Sequence, residues 1–103
     1  TKTAPPKAFT ISGNDWVSAW QVGDWNTARL RVVGSPPQIT TWINGRKVNE
    51  FNGRTFPGKG YDKAGIVKLL GAEGRVAVQV HGGTGWPKGA KCRWRNVYVR
   101  ELN

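Results

Sequence analysis

Hydrophobic and polar residues alternate along three neighbouring stretches of the first half of the chain. Trp25 to Val33, Gln38 to Ile43 and Arg46 to Phe51 are rich in Val, Ile, Thr and aromatic residues, which β-strands favour. Gly34-Ser35-Pro36-Pro37 interrupts the first two stretches, because proline removes a ladder donor and glycine permits positive φ. Asn44-Gly45 separates the last two and is the strongest short hairpin signal in a sequence. The pattern predicts three antiparallel strands.

A two-residue loop at Asn44-Gly45 also predicts the register of the second hairpin. The predicted cross-strand pairs are Ile43 with Arg46, Trp42 with Lys47, Thr41 with Val48 and Ile39 with Glu50. One face then carries Ile39, Ile43 and Val48, and the other carries Trp42, Lys47, Thr40 and Asn49. A polar face with one tryptophan suits a sugar, whose C–H surfaces stack on an aromatic ring while its hydroxyls need polar partners. An ordinary solvent-facing strand with a loop-covered tryptophan is the alternative.

Two further stretches of the second half are predicted as strands, and the first of them alternates cleanly. In Arg75 to His81, three valines occupy one face, and Ala77, Gln79 and His81 occupy the other. Arg93 to Leu102 is predicted as the last strand. Between the hairpin and these strands, Asp62 to Leu70 is predicted as a short helix, with Asp62 as N-cap and Gly71 as the stop.

Length and composition place these strands in one small all-β domain. The chain has 103 residues, with 14 glycines and six prolines, which indicates many turns and few long helices. We divide it into residues 1–23, an extended opening segment with short strands, and residues 24–103, which carry the sheet. No run of 18 apolar residues occurs, so no membrane span is predicted.

The net charge of +10, from 16 cations and six acidic residues, favours polyanionic partners. The cations are spread along the chain without a run of five, and no RNA-binding motif interleaves them with aromatic residues. We therefore do not expect specific nucleic-acid binding.

The one cysteine, Cys92, is interpreted as an incidental strand residue. No metal-ligand spacing or cofactor motif is present, and we expect neither a metal nor a cofactor.

Four polar or aromatic residues on predicted strands form the candidate site, which we call the predicted site: Trp42, Gln79, His81 and Arg95. Glutamine offers a donor and an acceptor, histidine transfers protons near neutral pH, and arginine is a fixed fork of donors. Such a set could bind a hydroxylated ligand or stabilise an oxyanion. Alternatively, His81 bonds to the glycine loop that follows it, and Arg95 is solvated or paired with an acid.

The same stretches resemble a known family. D-W-N-T-A-R-L-R-V-V-G, T-T-W-I-N-G-R-K-V, V-A-V-Q-V-H-G-G and R-W-R-N-V-Y-V-R-E-L look like the C-terminal half of 3-keto-disaccharide hydrolase domains, in the family's order. The residues that match its pattern are Trp25, Asn26, Trp42, Asn44, Gly45, Gln79, His81, Gly82, Arg95 and Asn96. Val80 stands where the family usually has an acidic residue, so the role of that carboxylate is unfilled.

The resemblance implies a fold, an activity and a location. The fold is an antiparallel β-sandwich of the concanavalin-like jelly-roll type, of which this chain supplies half. A second chain would supply the N-terminal half; a reduced, self-contained domain is the alternative. The implied activity is cleavage of 3-keto-glycosides, with His81 as general acid/base, Gln79 and Arg95 holding the sugar and Trp42 stacking on it. A periplasmic or secreted location is favoured. The rival functions are a non-catalytic carbohydrate-binding module and a basic adaptor for polyanions.

Overall fold

The computed structural model describes residues 9–102 and is mostly β, with one four-stranded antiparallel sheet and two short helices. The elements in chain order are β1 (Phe9–Thr10), α1 (Gly13–Ala19), β2 (Ala28–Val33), β3 (Gln38–Ile43), β4 (Arg46–Asn52) and α2 (Lys63–Leu70). The sheet has the order β1-β4-β3-β2. The three strands predicted around the two turns are confirmed. The division of the chain at residue 23 stays a prediction, and residues 1–8 of its first part lie outside the described residues.

Both helices are short. Asp62 is the N-cap residue of α2, as predicted, but its side chain makes no capping hydrogen bond. Ser12 begins α1, where its Oγ accepts a hydrogen bond from the Asp15 backbone N–H at 3.1 Å, an N-cap contact. The helix was not predicted, because the sequence from Trp16 to Val22 alternates weakly. The helix predicted before Gly71 is confirmed as α2. Gly71 ends it at φ 68°, and its N–H donates to the Val67 carbonyl, as expected of a glycine stop.

A β-bulge changes the register predicted for the β3–β4 hairpin. Ile43 pairs with Arg46 and Trp42 with Lys47, as predicted, but the register shifts between Thr41 and Trp42. The pairs predicted further from the turn are wrong: Thr41 lies opposite Asn49, and Ile39 lies opposite Phe51. The extra residue of the bulge is on β4, because two residues there span one step of β3. Asn49 therefore lies on the face away from Trp42, and not beside it as predicted.

The Asn44 side chain joins the hairpin turn to the segment that precedes β2. Asn44 has φ 50° and Gly45 has φ 81°, the positive values that a two-residue hairpin turn needs. Its Nδ2 donates to the carbonyl of Ala19 and to Oδ1 of Asn26, each at 2.8 Å. The backbone N–H of Thr27 donates to its Oδ1 at 2.9 Å. We call these three side-chain contacts the Asn44 clasp.

Helix α1 is held against the end of β4 by polar contacts. The Arg46 guanidinium pairs with the Asp15 carboxylate at 3.0 Å and donates to Ser18 Oγ at 3.3 Å.

Among the described residues, the buried hydrophobic side chains are Ile43, 7% exposed, and Val48, 5% exposed. A second small cluster joins Phe51, Phe56 and Tyr61, with ring centroids 5.3 and 5.0 Å apart. The core of this part of the chain is small.

The two strands predicted for the second half are absent from the structure. Residues 72–102 are all exposed and contain no strand or helix. The one backbone hydrogen bond there runs from the Ala90 N–H to the Pro87 carbonyl. A strand needs a hydrogen-bonded neighbour, because its own N–H and C=O groups point sideways. Arg75 to His81 and Arg93 to Leu102 have the composition of strands but no neighbour in the described residues.

No helix among residues 9–102 is long and apolar enough to span a membrane.

The Asn44 clasp generates a stability prediction. Asn44→Ala removes three side-chain hydrogen bonds and places alanine at positive φ, so the free energy of unfolding should fall by about 2–3 kcal/mol. Asn49→Ala is the matched control, because it removes one exposed bond to Thr10 Oγ1 and should cost about 1 kcal/mol or less. Urea unfolding followed by tryptophan fluorescence measures both. Equal losses in the two variants would contradict a special role for Asn44.

Candidate functional site

Trp42 lies on the face of the sheet that carries Arg29, Arg31, Lys47 and Glu50, which we call the charged face. An arginine covers its ring. It is half-buried on β3, directly between Arg29 on β2 and Lys47 on β4. The guanidinium carbon of Arg29 is 4.2 Å from the ring centroid, the geometry of a cation–π contact. The predicted stacking residue is thus on a polar strand face, as expected. One side of its ring already has a cationic partner.

The neighbouring positions on β4 form an ion pair on the same face. The Lys47 ammonium lies 2.6 Å from the Glu50 carboxylate and 4.8 Å from the centroid of the Phe9 ring. The hydrogen bond from Lys47 lowers the pKa of Glu50, with a smaller contribution from Gln38; partial burial opposes both. Glu50 is thus held ionised, as an acceptor and not as a proton donor. It is the carboxylate that the bulge places on this face.

Arg95 does not lie against Trp42 but over Trp25. Its guanidinium carbon is 4.0 Å from the Trp25 ring centroid. Trp25 follows Asp24, whose Oδ1 accepts the Trp25 backbone N–H at 2.7 Å. This contact joins the W-N motif before β2 to the R-N motif near the end of the chain, and both motifs belong to the resemblance. Arg95 is exposed, as the solvated alternative expected, and it makes no salt bridge with any residue between Phe9 and Leu102.

Gln79 and His81 lie in the exposed segment without side-chain hydrogen bonds to any residue between Phe9 and Leu102. The backbone carbonyl of His81 accepts a hydrogen bond from Trp86 Nε1 at 2.9 Å, so the residue does contact the loop that follows it. That bond leaves both imidazole nitrogens available. No hydrogen bond or cation–π contact in the described chain joins members of the predicted site to one another. Their roles stay predictions.

Arg29, Lys47 and Trp25 are site neighbours that the predicted site did not include. Arg29 could have been found from register, because a strand antiparallel to β3 must place a residue directly opposite Trp42. Trp25 could not, since its contact with Arg95 spans 70 positions and follows from no local periodicity.

A cleft of about 300 Å³ lies at the opposite side of the sheet from Trp42. Its lining residues are Thr10, Ile11, Ser12, Gly13, Trp16, Val48 and Asn49. The Trp16 ring stacks on Trp20 with centroids 5.7 Å apart and an angle of 18°. No member of the predicted site lines this cleft.

Metal-binding clusters are absent from residues 9–102, in the sense of three or more His, Cys, Asp or Glu side chains placed to hold one ion. Cys92 is an exposed free thiol.

Comparison with known proteins gives a family match. A family model described as a 3-keto-alpha-glucoside-1,2-lyase-like domain matches residues 9–100. It begins well before Asp24, where the motifs of the resemblance start, and so includes β1 and α1. No curated protein and no solved structure gives a significant match.

The ion pair between Lys47 and Glu50 generates a prediction for the pKa of the Glu50 carboxyl. Lys47→Ala should raise the pKa of Glu50 toward its ordinary value, because the main stabilising partner of the carboxylate is lost. In the unaltered chain the pKa is lowered, so the pair's stabilisation is present above the unfolded pKa of glutamate. It is lost as pH falls through the folded pKa.

Carbon-detected NMR titration of the Glu50 carboxyl measures the change. Arg46→Ala is the control, because it removes a neighbouring cation on β4 that pairs with Asp15 instead. A Glu50 pKa that is the same with and without Lys47 would contradict the assignment.

Proposed function

The chain belongs to the family of 3-keto-alpha-glucoside-1,2-lyase-like domains, and on this basis we propose that it cleaves the glycosidic bond of 3-keto-glycosides. A carbohydrate-active function is what the family suggests. The observation that carries the finer proposal is the match itself, which includes both the Q-V-H stretch and the W-R-N stretch.

The chemistry of the substrate explains how so few acidic residues could suffice. A ketone at C3 acidifies the C–H bond at C2, and the glycosidic oxygen leaves from the adjacent C1. A base removes the C2 proton, the C1–O bond breaks, a C1–C2 double bond forms, and the leaving oxygen takes a proton. This elimination needs a proton carrier and donors for the enolate oxygen. It does not need the two carboxylates used by most glycosidases.

The roles that we propose follow from the donor and acceptor capacity of each side chain. His81 moves the proton, because its imidazole nitrogens make no hydrogen bond within the described chain and histidine is the side chain that most often transfers protons in catalysis. Gln79 and Arg95 hold the sugar oxygens, and Trp42 stacks on the ring. Val80 supplies no carboxylate where the family usually has one, which is why the proton transfer is assigned to His81.

The fold that we propose for this activity is a jelly-roll sandwich, of which this chain is one half. The support is the exposed second half of the chain, where Arg75 to His81 and Arg93 to Leu102 have strand composition but no ladder partners. Pairing these stretches into sheets would bring Gln79, His81 and Arg95 onto strands. A second polypeptide chain supplies the remaining strands in this proposal.

The non-catalytic carbohydrate-binding module is the second candidate. It is favoured by Val80 and by the absence, within residues 9–102, of any acid that orients the His81 imidazole. Sugar binding without turnover of a keto-glycoside would decide for it.

The catalytic proposal predicts that His81→Ala slows cleavage of a 3-keto-α-glucoside by about 100-fold or more, the usual loss for a general acid/base. Lys88→Ala is the control, because it changes an exposed cation in the nearby loop and should leave the rate unchanged. Using a nitrophenyl leaving group separates the roles: the defect shrinks if His81 protonates the leaving oxygen and persists if it removes the C2 proton. A full rate in His81→Ala would exclude the proposal.

The half-sandwich proposal predicts the native mass of the purified protein. We expect a species heavier than the 11.3 kDa chain that contains a different polypeptide in fixed ratio after denaturation. Native mass spectrometry and denaturing electrophoresis of the same sample measure this. A lone 11.3 kDa species with protected amides in residues 75–81 would favour the self-contained domain instead.

A further inference from the structure

Strand β2, one of the two outer strands of the sheet, has a free edge. It is last in the strand order and pairs with β3 alone. No backbone hydrogen bond joins its other edge to any residue that the structure describes. All six of its residues are exposed, including Leu30 at 63% and Val32 at 58%. Exposed strand edges are pairing templates, which natural proteins usually cover or break with charge, proline or a bulge.

The two faces of this edge differ in chemistry. Arg29 and Arg31 lie opposite Trp42 and Thr40, on the charged face. Leu30 and Val32 lie opposite Thr41 and Ile39, on the other face. No acidic residue occurs between Trp25 and Asn49, so neither arginine has a carboxylate partner on its own or the next strand. A strand added at this edge would meet cations on one side and apolar side chains on the other.

These observations decide what fits the edge. A second copy of this chain does not, because each copy carries +10 and two β2 strands would bring their arginines together. We propose that the outer edge of β2 pairs with a strand of a separate acidic polypeptide. Its carboxylates face Arg29 and Arg31, and its alternate apolar side chains cover Leu30 and Val32. This deepens the second-chain part of the proposed function by naming where that chain docks and its charge.

Two synthetic nonapeptides test this with the full chain. One alternates valine with glutamate, and the other alternates valine with lysine, so the pair shares its strand propensity and differs in charge. We expect the glutamate peptide to slow hydrogen exchange of the outward β2 amides by about tenfold or more, measured by NMR. Salt should weaken this effect. The lysine peptide should leave exchange unchanged.

A charge reversal makes the test specific to the edge. In Arg31→Glu, the lysine peptide should protect the outward β2 amides better than the glutamate peptide does. Lys68→Glu, which also replaces a cation with glutamate but on helix α2, should leave the glutamate peptide as the better protector. Three results would overturn the proposal: outward β2 amides already protected in the chain alone, equal protection by both peptides, or protection by neither. Loss of keto-glycoside cleavage with intact peptide pairing would refute only the proposed enzyme activity.

Discussion

The sheet depends on one side chain, that of Asn44, more than on any buried cluster. Its amide contacts the end of α1, the Asn26 side chain and the Thr27 backbone, while its own backbone forms the β3–β4 turn. Asn26 continues the network, since its Oδ1 accepts the Gln21 N–H and its Nδ2 donates to the Gln21 carbonyl. Buried apolar area is small here, so satisfied polar groups set the position of β2 relative to β3 and α1. Two residues that match the family pattern, Asn26 and Asn44, thus have a structural role in this network.

Sequence reasoning was accurate where the structure is local. Asn44-Gly45 predicted the turn and the first two cross-strand pairs because a two-residue loop has few geometries. The predicted register failed one step further along β4, at the bulge. The residue types of Val48 and Asn49 are compatible with a regular strand and with a bulged one, so the sequence does not reveal the extra residue. The Ser12 cap of helix α1 is a local contact that the sequence could have indicated. The contacts of the helix with Arg46 could not be predicted in this way, because Arg46 lies 28 and more positions away from the residues it contacts.

The second half of the chain shows why strand composition does not by itself form strands. Val76, Val78 and Val80 alternate with polar residues as cleanly as any part of the sheet, yet all three are exposed. Alternation states which face a strand would bury, whereas a ladder needs a neighbour with free N–H and C=O groups. The free edge of β2 and these unpaired stretches share one cause: each lacks a neighbouring strand within the described residues. The geometry of Gln79 and His81 cannot be read from periodicity for the same reason.

Two of the three cation–π contacts in the described chain, those made by arginines, connect these unpaired strands to the candidate site. Arg29 covers Trp42, the indole proposed for sugar stacking, and Arg95 covers Trp25. An exposed contact of this type is worth about 0.5–1 kcal/mol, little enough for a sugar ring to displace. Carboxylates opposite Arg29 and Arg31 would also draw the Arg29 guanidinium toward the β2 edge. Strand addition at that edge and exposure of the Trp42 ring would then be coupled, because both depend on where one arginine places its charge.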